Sequence, residues 1–241
     1  MKPEFTTTNV QKALRHPRLF FRLLGGFDEA KLAREHIAIH VNKLSKLEMD
    51  ASGLAPIEAI CRAIDICSNS CYHTEYLYLV CKFVNPRKFV ETGVHYGASS
   101  AFILKALEGT GGKLYSIDLP NVKYQKNSGG VHADYLPSNE ETGFVVPSYL
   151  RTNWELKLGD SRIELPRLLS SIGKIDVFHH DSMHTYDLMT FEYETVLPAL
   201  KHGGFLLSDD AHWNNAFKDF CNRYSLENRI YKHVGIAINN S

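Results

Sequence analysis

From position 88 onward, short apolar runs alternate with stretches whose apolar residues recur every three or four positions. The runs 88–92, 113–118, 154–158, 175–180 and 205–208 read as strands. The helical spacing falls at 99–107, 163–171, 188–200 and 214–224, between or after them. Before position 85 the pattern is helical only, over 27–47 and again over 56–84, as in Ile57, Ile60 and Ile64 followed by Tyr76, Leu77, Val80 and Val84. Pro56 suits a first helical turn, whereas Asn85-Pro86 marks a seam, because proline disfavours helix at the residue before it.

Strands alternating with helices require crossover connections, which predicts a doubly wound, mostly parallel α/β sheet over 86–241 with a helical extension over 1–85. Residues 119–150 break the rhythm with Pro120, Gly129, Gly130, Pro137, Gly143 and Pro147, a connection too long to be ordinary, and are expected to cover or line a site. The tail 229–239 fits either one strand or a tight hairpin.

Composition narrows the function classes. Of 241 residues, 44% are hydrophobic, enough for a full core, and 27 basic residues balance 27 acidic ones. No net field draws the chain to nucleic acid or to an anionic membrane, so neither is an expected partner. The first ten residues lack the apolar region of a signal peptide and no run approaches a membrane span, so a soluble, cytoplasmic protein is expected. Five cysteines, four of them between 61 and 81 without a C-x-x-C pair, read as free thiols.

In open α/β sheets ligands bind at the carboxyl ends of the strands. The first strand ends in Glu91-Thr92-Gly93-Val94-His95-Tyr96-Gly97-Ala98-Ser99. Gly93 and Gly97 allow a sharp turn against a ligand, and a helix starting near Ser99 offers free N–H groups. Asp118 ends the second strand, placed to accept from ribose hydroxyls, and Gly159-Asp160-Ser161 follows the third. The loop lacks the G-x-G-x-x-G of dinucleotide sites and the G-K-[ST] of a P-loop.

This ordered set, over 88–210, resembles the class I S-adenosylmethionine-dependent methyltransferases, which have a Rossmann-like fold. The resemblance implies that Glu91 and Gly93 frame the methionine portion of the donor, that Ser99 meets its carboxylate, that Asp118 holds the ribose, and that Asp160 and Ser161 border the adenine. Residues 144–160 also resemble uncharacterised members of the same group.

The fourth strand leads into Asp181-Ser182-Met183-His184, and the fifth into Ser208-Asp209-Asp210. Three carboxylates converging without a cation would repel one another, and a hard divalent ion with oxygen ligands, Mg²⁺ foremost, relieves that. Asp181, Asp209 and Asp210 match the metal-binding pattern of catechol-type and sugar or macrolide O-methyltransferases. The resemblance places a catalytic histidine of the latter group at His184. A zinc or iron site from His179, His180, His184 and His212 ranks lower, because His179 and His180 are adjacent on a strand and face opposite ways. Asp181 and Asp209 could instead serve only as helix caps, and Tyr186 and Trp213 either pack the sheet ends or touch substrate.

The expected function is methyl transfer to a hydroxyl of a small molecule, assisted by the ion and a histidine base. The alternatives are metal-independent N- or O-methylation and a non-catalytic cofactor-binding module. Tyr124, Tyr135, Phe144, Tyr149 and the N-terminal helices are either walls of the acceptor pocket or, for the helices, a packing or homo-oligomer contact.

Overall fold

The computed structural model describes residues 29–120, Leu136 and 140–240. Among the described residues three helices come first: α1 (Glu29–Leu44), α2 (Pro56–Cys67) and α3 (Tyr76–Val84), the last preceded by a 3-10 turn at His73–Glu75. The helical pattern over 56–84 is thus interrupted at the polar run Ser68-Asn69-Ser70, where the Ser68 hydroxyl donates to the Asp65 carbonyl and ends α2. At the seam Asn85 is left-handed (φ 49°) and donates its N–H to the Cys81 carbonyl, stopping α3 one residue before Pro86.

Strands and helices then alternate: β1 (Lys88–Thr92), α4 (Ala98–Leu107), β2 (Lys113–Asp118), β3 (Trp154–Leu158), α5 (Ser161–Ile172), β4 (Ile175–His180), α6 (Tyr186–Val196) and β5 (Leu200–Ser208). After α7 (Ala216–Arg223), β6 (Glu227–Tyr231) and β7 (Val234–Ile238) form a hairpin, so the tail is two strands. The sheet order is β3-β2-β1-β4-β5-β7-β6, parallel from β3 to β5, with β7 antiparallel to β5. The fifth strand starts five residues before the apolar run because Leu200, although followed by Lys201-His202-Gly203-Gly204, pairs with Ile175 across an irregular register.

Two apolar layers cover the two faces of the sheet. One joins α4 with α1, α2 and α3, through Ile37, Val41, Ile60, Tyr76, Leu77 and Phe102. The other joins α5, α6 and α7 through Leu165, Met189, Tyr193 and Phe217. The N-terminal helices therefore share a core with the sheet. The strand order reverses between β1 and β4, the point at which an open α/β sheet leaves a crevice. No described helix is long and apolar enough to cross a membrane.

Candidate active site

The loop after β1 is held from below and from the side. Glu91 is fully buried, and its carboxylate accepts from the hydroxyls of Ser116 (2.7 Å), Ser99 (3.2 Å) and Ser100. Burial pushes its carboxyl up to about 7 in spite of those three donors. From the side, Asp118 Oδ2 accepts from the N–H groups of Val94 (2.9 Å) and His95 (2.6 Å), while Oδ1 accepts from Leu119 N–H (2.7 Å). Two carboxylates at adjacent strand ends thus brace the loop, and in this structure the Ser99 hydroxyl points to Glu91.

Glycine is required twice here. Gly93 has φ +86°, and a Cβ on it would lie 2.0 Å from the Asp181 carbonyl oxygen; Gly97 has φ +100°, and its Cβ would lie 2.8 Å from Gly143 Cα. Residues 143–145 lie along the loop, with Gly143 N–H donating to His95 O (2.8 Å) and Val145 N–H to Tyr96 O (3.1 Å). The described end of the long connection therefore packs on the loop; Phe144 is buried and Tyr149 exposed. Tyr124 and Tyr135 lie outside the described residues, as do 1–28 and most of 121–139. Beside β3, the exposed Asp160 caps α5 by accepting from Arg162 N–H (2.8 Å), next to Ser161 at the first helical position.

The parallel ladder runs one residue beyond the strands. Asp181 N–H donates to Thr92 O and Asp209 N–H to His180 O, both at 2.8 Å, so Gly93, Asp181 and Asp209 follow one another across β1, β4 and β5. There Asp181, His184 and Asp209 each offer a ligand atom, all within 4.8 Å of one another. His184 Nε2 is 3.9 Å from Asp181 Oδ1. Asp210 belongs to none of the groups that meet this spacing among the described residues. It sits half-buried in a left-handed turn (φ 45°), where burial and the neighbouring Asp209 raise its carboxyl above the usual range.

The electrostatics separate the two buried carboxyls. Burial raises Asp181 far above the usual carboxylate range, and the nearby Asp209 raises it further. Burial also disfavours the Asp209 anion, yet a hydrogen bond from His73 (3.1 Å), with His179 and His233 close by, holds it below that range. Burial pushes His184 down to about 4, helped by His180, so its ring is neutral at pH 7. The ring lies 5.2 Å from both His180 and Trp213. Trp213 is exposed beside it, whereas Tyr186 donates to Asp219 away from the cluster. His179 and His180 are both buried; His180 Nδ1 pairs with Glu192 (2.7 Å), which also accepts from Thr92 (2.5 Å) and Ser182 (3.0 Å).

Four contributors were not singled out from sequence. His73 comes from the turn before α3, 136 positions from the Asp209 it meets. Tyr76, fully buried, has no hydrogen-bond partner for its hydroxyl among the described residues, and the charges of Asp181 and Asp209 act on it. His233 lies in the β6–β7 turn, 3.5 Å from Asp209 Oδ1, and Glu192 lies on α6. The one sequence signal was the polar triplet His73-Thr74-Glu75 between two apolar helices.

The two carboxylates suit a hard divalent cation, with the imidazole of His184 beside them. Among the described residues Asp209 Oδ1 and His184 Nε2 are buried without a hydrogen-bond partner, Oδ1 having only His233 Nε2 at 3.5 Å, as expected of atoms kept for an ion or an acceptor.

Comparison with known proteins agrees with this architecture. A family model described as a methyltransferase domain matches residues 90–211. Similar solved structures include the O-methyltransferase TomG from Streptomyces achromogenes, involved in tomaymycin synthesis and determined with S-adenosylmethionine. It shares 14% identity over 85% of this chain and 97% of its own, with a TM-score of 0.51. The Podospora anserina methyltransferase PaMTH1, with bound S-adenosylhomocysteine, shares 14% identity over 88% and 96% (TM-score 0.50). A candidate O-methyltransferase from Klebsiella pneumoniae shares 11% identity over 97% and 100% (TM-score 0.51). At these identities the likeness is one of fold, and no curated protein matches the chain. The family match spans 122 of the 241 residues and runs from β1 to the turn after β5, where the glycine loop and the acidic cluster lie: the chain belongs to the methyltransferase-domain family and has the class I methyltransferase fold.

Proposed function

We propose that the protein transfers a methyl group from S-adenosylmethionine to a hydroxyl of a small acceptor, with Asp181 and Asp209 holding a divalent cation, Mg²⁺ foremost, and His184 taking the proton. The observation that carries this reading is the row formed by Gly93, Asp181 and Asp209: the loop proposed to hold the donor touches the residue proposed to hold the ion. Gly93, Gly97 and the start of α4 receive the donor's methionine end, Asp118 its ribose, and Asp160 with Ser161 its adenine. Glu91 and Ser99 act from beneath the loop. When bound, the ion polarises the acceptor oxygen. His184, neutral at pH 7, accepts the hydroxyl proton at Nε2, while the acceptor oxygen forms its bond to the methyl carbon and the sulfonium sulfur keeps the departing electron pair. The sulfonium already activates the methyl group, so alignment and exclusion of water are the protein's main contributions.

A metal-free reading has one observation behind it. His73 lies in hydrogen-bonding contact with Asp209 and His233 Nε2 lies 3.5 Å from it, so the Asp209 carboxylate has protein partners without an ion. Calorimetric titration of S-adenosylmethionine, with Mg²⁺ and then with chelator, followed by a screen of hydroxylated metabolites, tests the proposal. The donor is expected to bind in both conditions and methyl transfer to require the ion. Asp181→Ala should abolish transfer with donor affinity kept within a few-fold. Turnover that persists in chelator would refute the role of the ion, and absence of donor binding would refute the whole reading.

A further inference from the structure

A second cluster of metal-ligating side chains lies between α1 and the turn before α3. His36 and His40, one helical turn apart on α1, face Cys71 and offer three ligand atoms within 4.8 Å of one another. Two histidines at i and i+4 on one helix face are a recurrent zinc-binding pair, and a cysteine thiolate adds a soft donor. His40 Nε2 lies 3.1 Å from Cys71 Sγ. Zn–N bonds of about 2.0–2.1 Å and a Zn–S bond of about 2.3 Å at a tetrahedral angle put these atoms roughly 3.5 Å apart, so the pair needs to open by only about 0.4 Å.

The other ring atoms are already oriented. His40 Nδ1 lies 2.5 Å from Glu75 Oε1, and Glu75 is buried. A carboxylate on the far nitrogen of a ligating histidine fixes its tautomer and leaves Nε2 to the metal. His36 Nδ1 lies 2.7 Å from the Tyr72 hydroxyl. The three ligand residues are neither deeply buried nor fully exposed, which gives an ion a way in.

We propose that His36, His40 and Cys71 bind a zinc-type divalent ion, oriented by Glu75, and that this ion clamps α1 to the segment Cys71–Tyr76 that carries His73 and Tyr76 into the active site. On loading, any proton on Cys71 Sγ or on His40 Nε2, which face each other at 3.1 Å, leaves to water, and the thiolate and the Nε2 lone pair bind the metal. His40 keeps its Nδ1 proton on Glu75, and water completes the fourth position. The site is separate from Asp181, His184 and Asp209 and does not depend on the methyl-transfer reading.

Cobalt(II) titration of the reduced, metal-free full-length protein tests this. One equivalent should produce a thiolate-to-cobalt charge-transfer band that Zn²⁺ then displaces. Cys71→Ser should lose the band and Asp181→Asn should keep it, since the acidic cluster holds no sulfur. Glu75→Gln should weaken Zn²⁺ binding roughly 10- to 100-fold, as loss of an outer-shell partner does. Circular dichroism establishes that each variant is folded. Absence of the band at saturating cobalt, or a band that persists in Cys71→Ser, would overturn the site. A Glu75→Gln affinity within threefold of wild type would overturn the role of Glu75.

Discussion

Replacing Gly93 with alanine probes the contact on which the proposed mechanism depends. Its φ of +86° costs an L-residue roughly 1–2 kcal/mol, and the new Cβ would stand 2.0 Å from Asp181 O, 2.4 Å from Asp181 C and 2.8 Å from Ser182 N. All three are backbone atoms beside the Asp181 N–H, which is bonded to Thr92 O, so the loop has to move by about 1 Å to reach the shortest separation real Cβ atoms show. That movement breaks at least one of the hydrogen bonds from Val94 and His95 to the Asp118 carboxylate, each worth roughly 1.5–3 kcal/mol. Restoring the loop for the donor then weakens S-adenosylmethionine binding about 10- to 100-fold. Gly203→Ala is the control: φ is +74° there with nothing within 4 Å of the added carbon, so it carries only the backbone strain, a loss of roughly 2–8 °C in Tm. Calorimetry and thermal melts of both variants decide the matter. Donor affinity within threefold of wild type in Gly93→Ala, with a Tm no lower than that of Gly203→Ala, would refute the argument.

Glu91, raised by burial to about 7 from 4.5, stays protonated in the fold at pH values where the unfolded chain has released its proton. Its penalty is absent below pH 4.5, grows as pH rises, and is complete above 7 at about 3 kcal/mol. The stability of Glu91→Gln relative to wild type should therefore rise between pH 5 and 8 in chemical denaturation, and a flat difference would count against it. Tyr76→Phe removes a buried hydroxyl that has no partner among the described residues, and should raise Tm of the ligand-free protein by about 2–4 °C for each kcal/mol gained. A lower Tm would mean that the hydroxyl is satisfied. In chelator, Asp181→Asn should melt higher than wild type, because burial and Asp209 both oppose the Asp181 anion, and a lower melting point would contradict that.

Much of the fold was legible because its signals are local. The short apolar runs at 88–92, 113–118, 154–158 and 175–180 coincide with β1 to β4. Boundaries slipped where tertiary pairing added to the local pattern. Leu200 joins β5 through Ile175 although glycines follow it, and the pattern over 188–200 ends early because Leu197–Ala199 tighten into a 3-10 turn before that strand. The glycines, Asp118, Asp181 and Asp209 could be placed at strand ends from sequence alone, since a parallel sheet delivers its strand ends to one edge.

What those residues touch was decided only in three dimensions. Sequence made Glu91 and Ser99 candidate partners of the donor; folding buries the Glu91 carboxylate under three serine hydroxyls, one of them from β2. Sequence grouped Asp210 with Asp181 and Asp209; the left-handed turn at Asp210 leaves it outside the cluster that Asp181 and Asp209 form with His184. His73, Tyr76 and His233 reach that cluster from chain segments more than 20 positions away from Asp209, a meeting set by α1, α2 and α3 packing on one face of the sheet and by the β6–β7 hairpin closing its edge. Sequence thus determined the order of elements and the edge that carries the chemistry, because periodicity and turn residues act over a few positions; the partners, burial and ionisation of each side chain were settled by packing between distant segments.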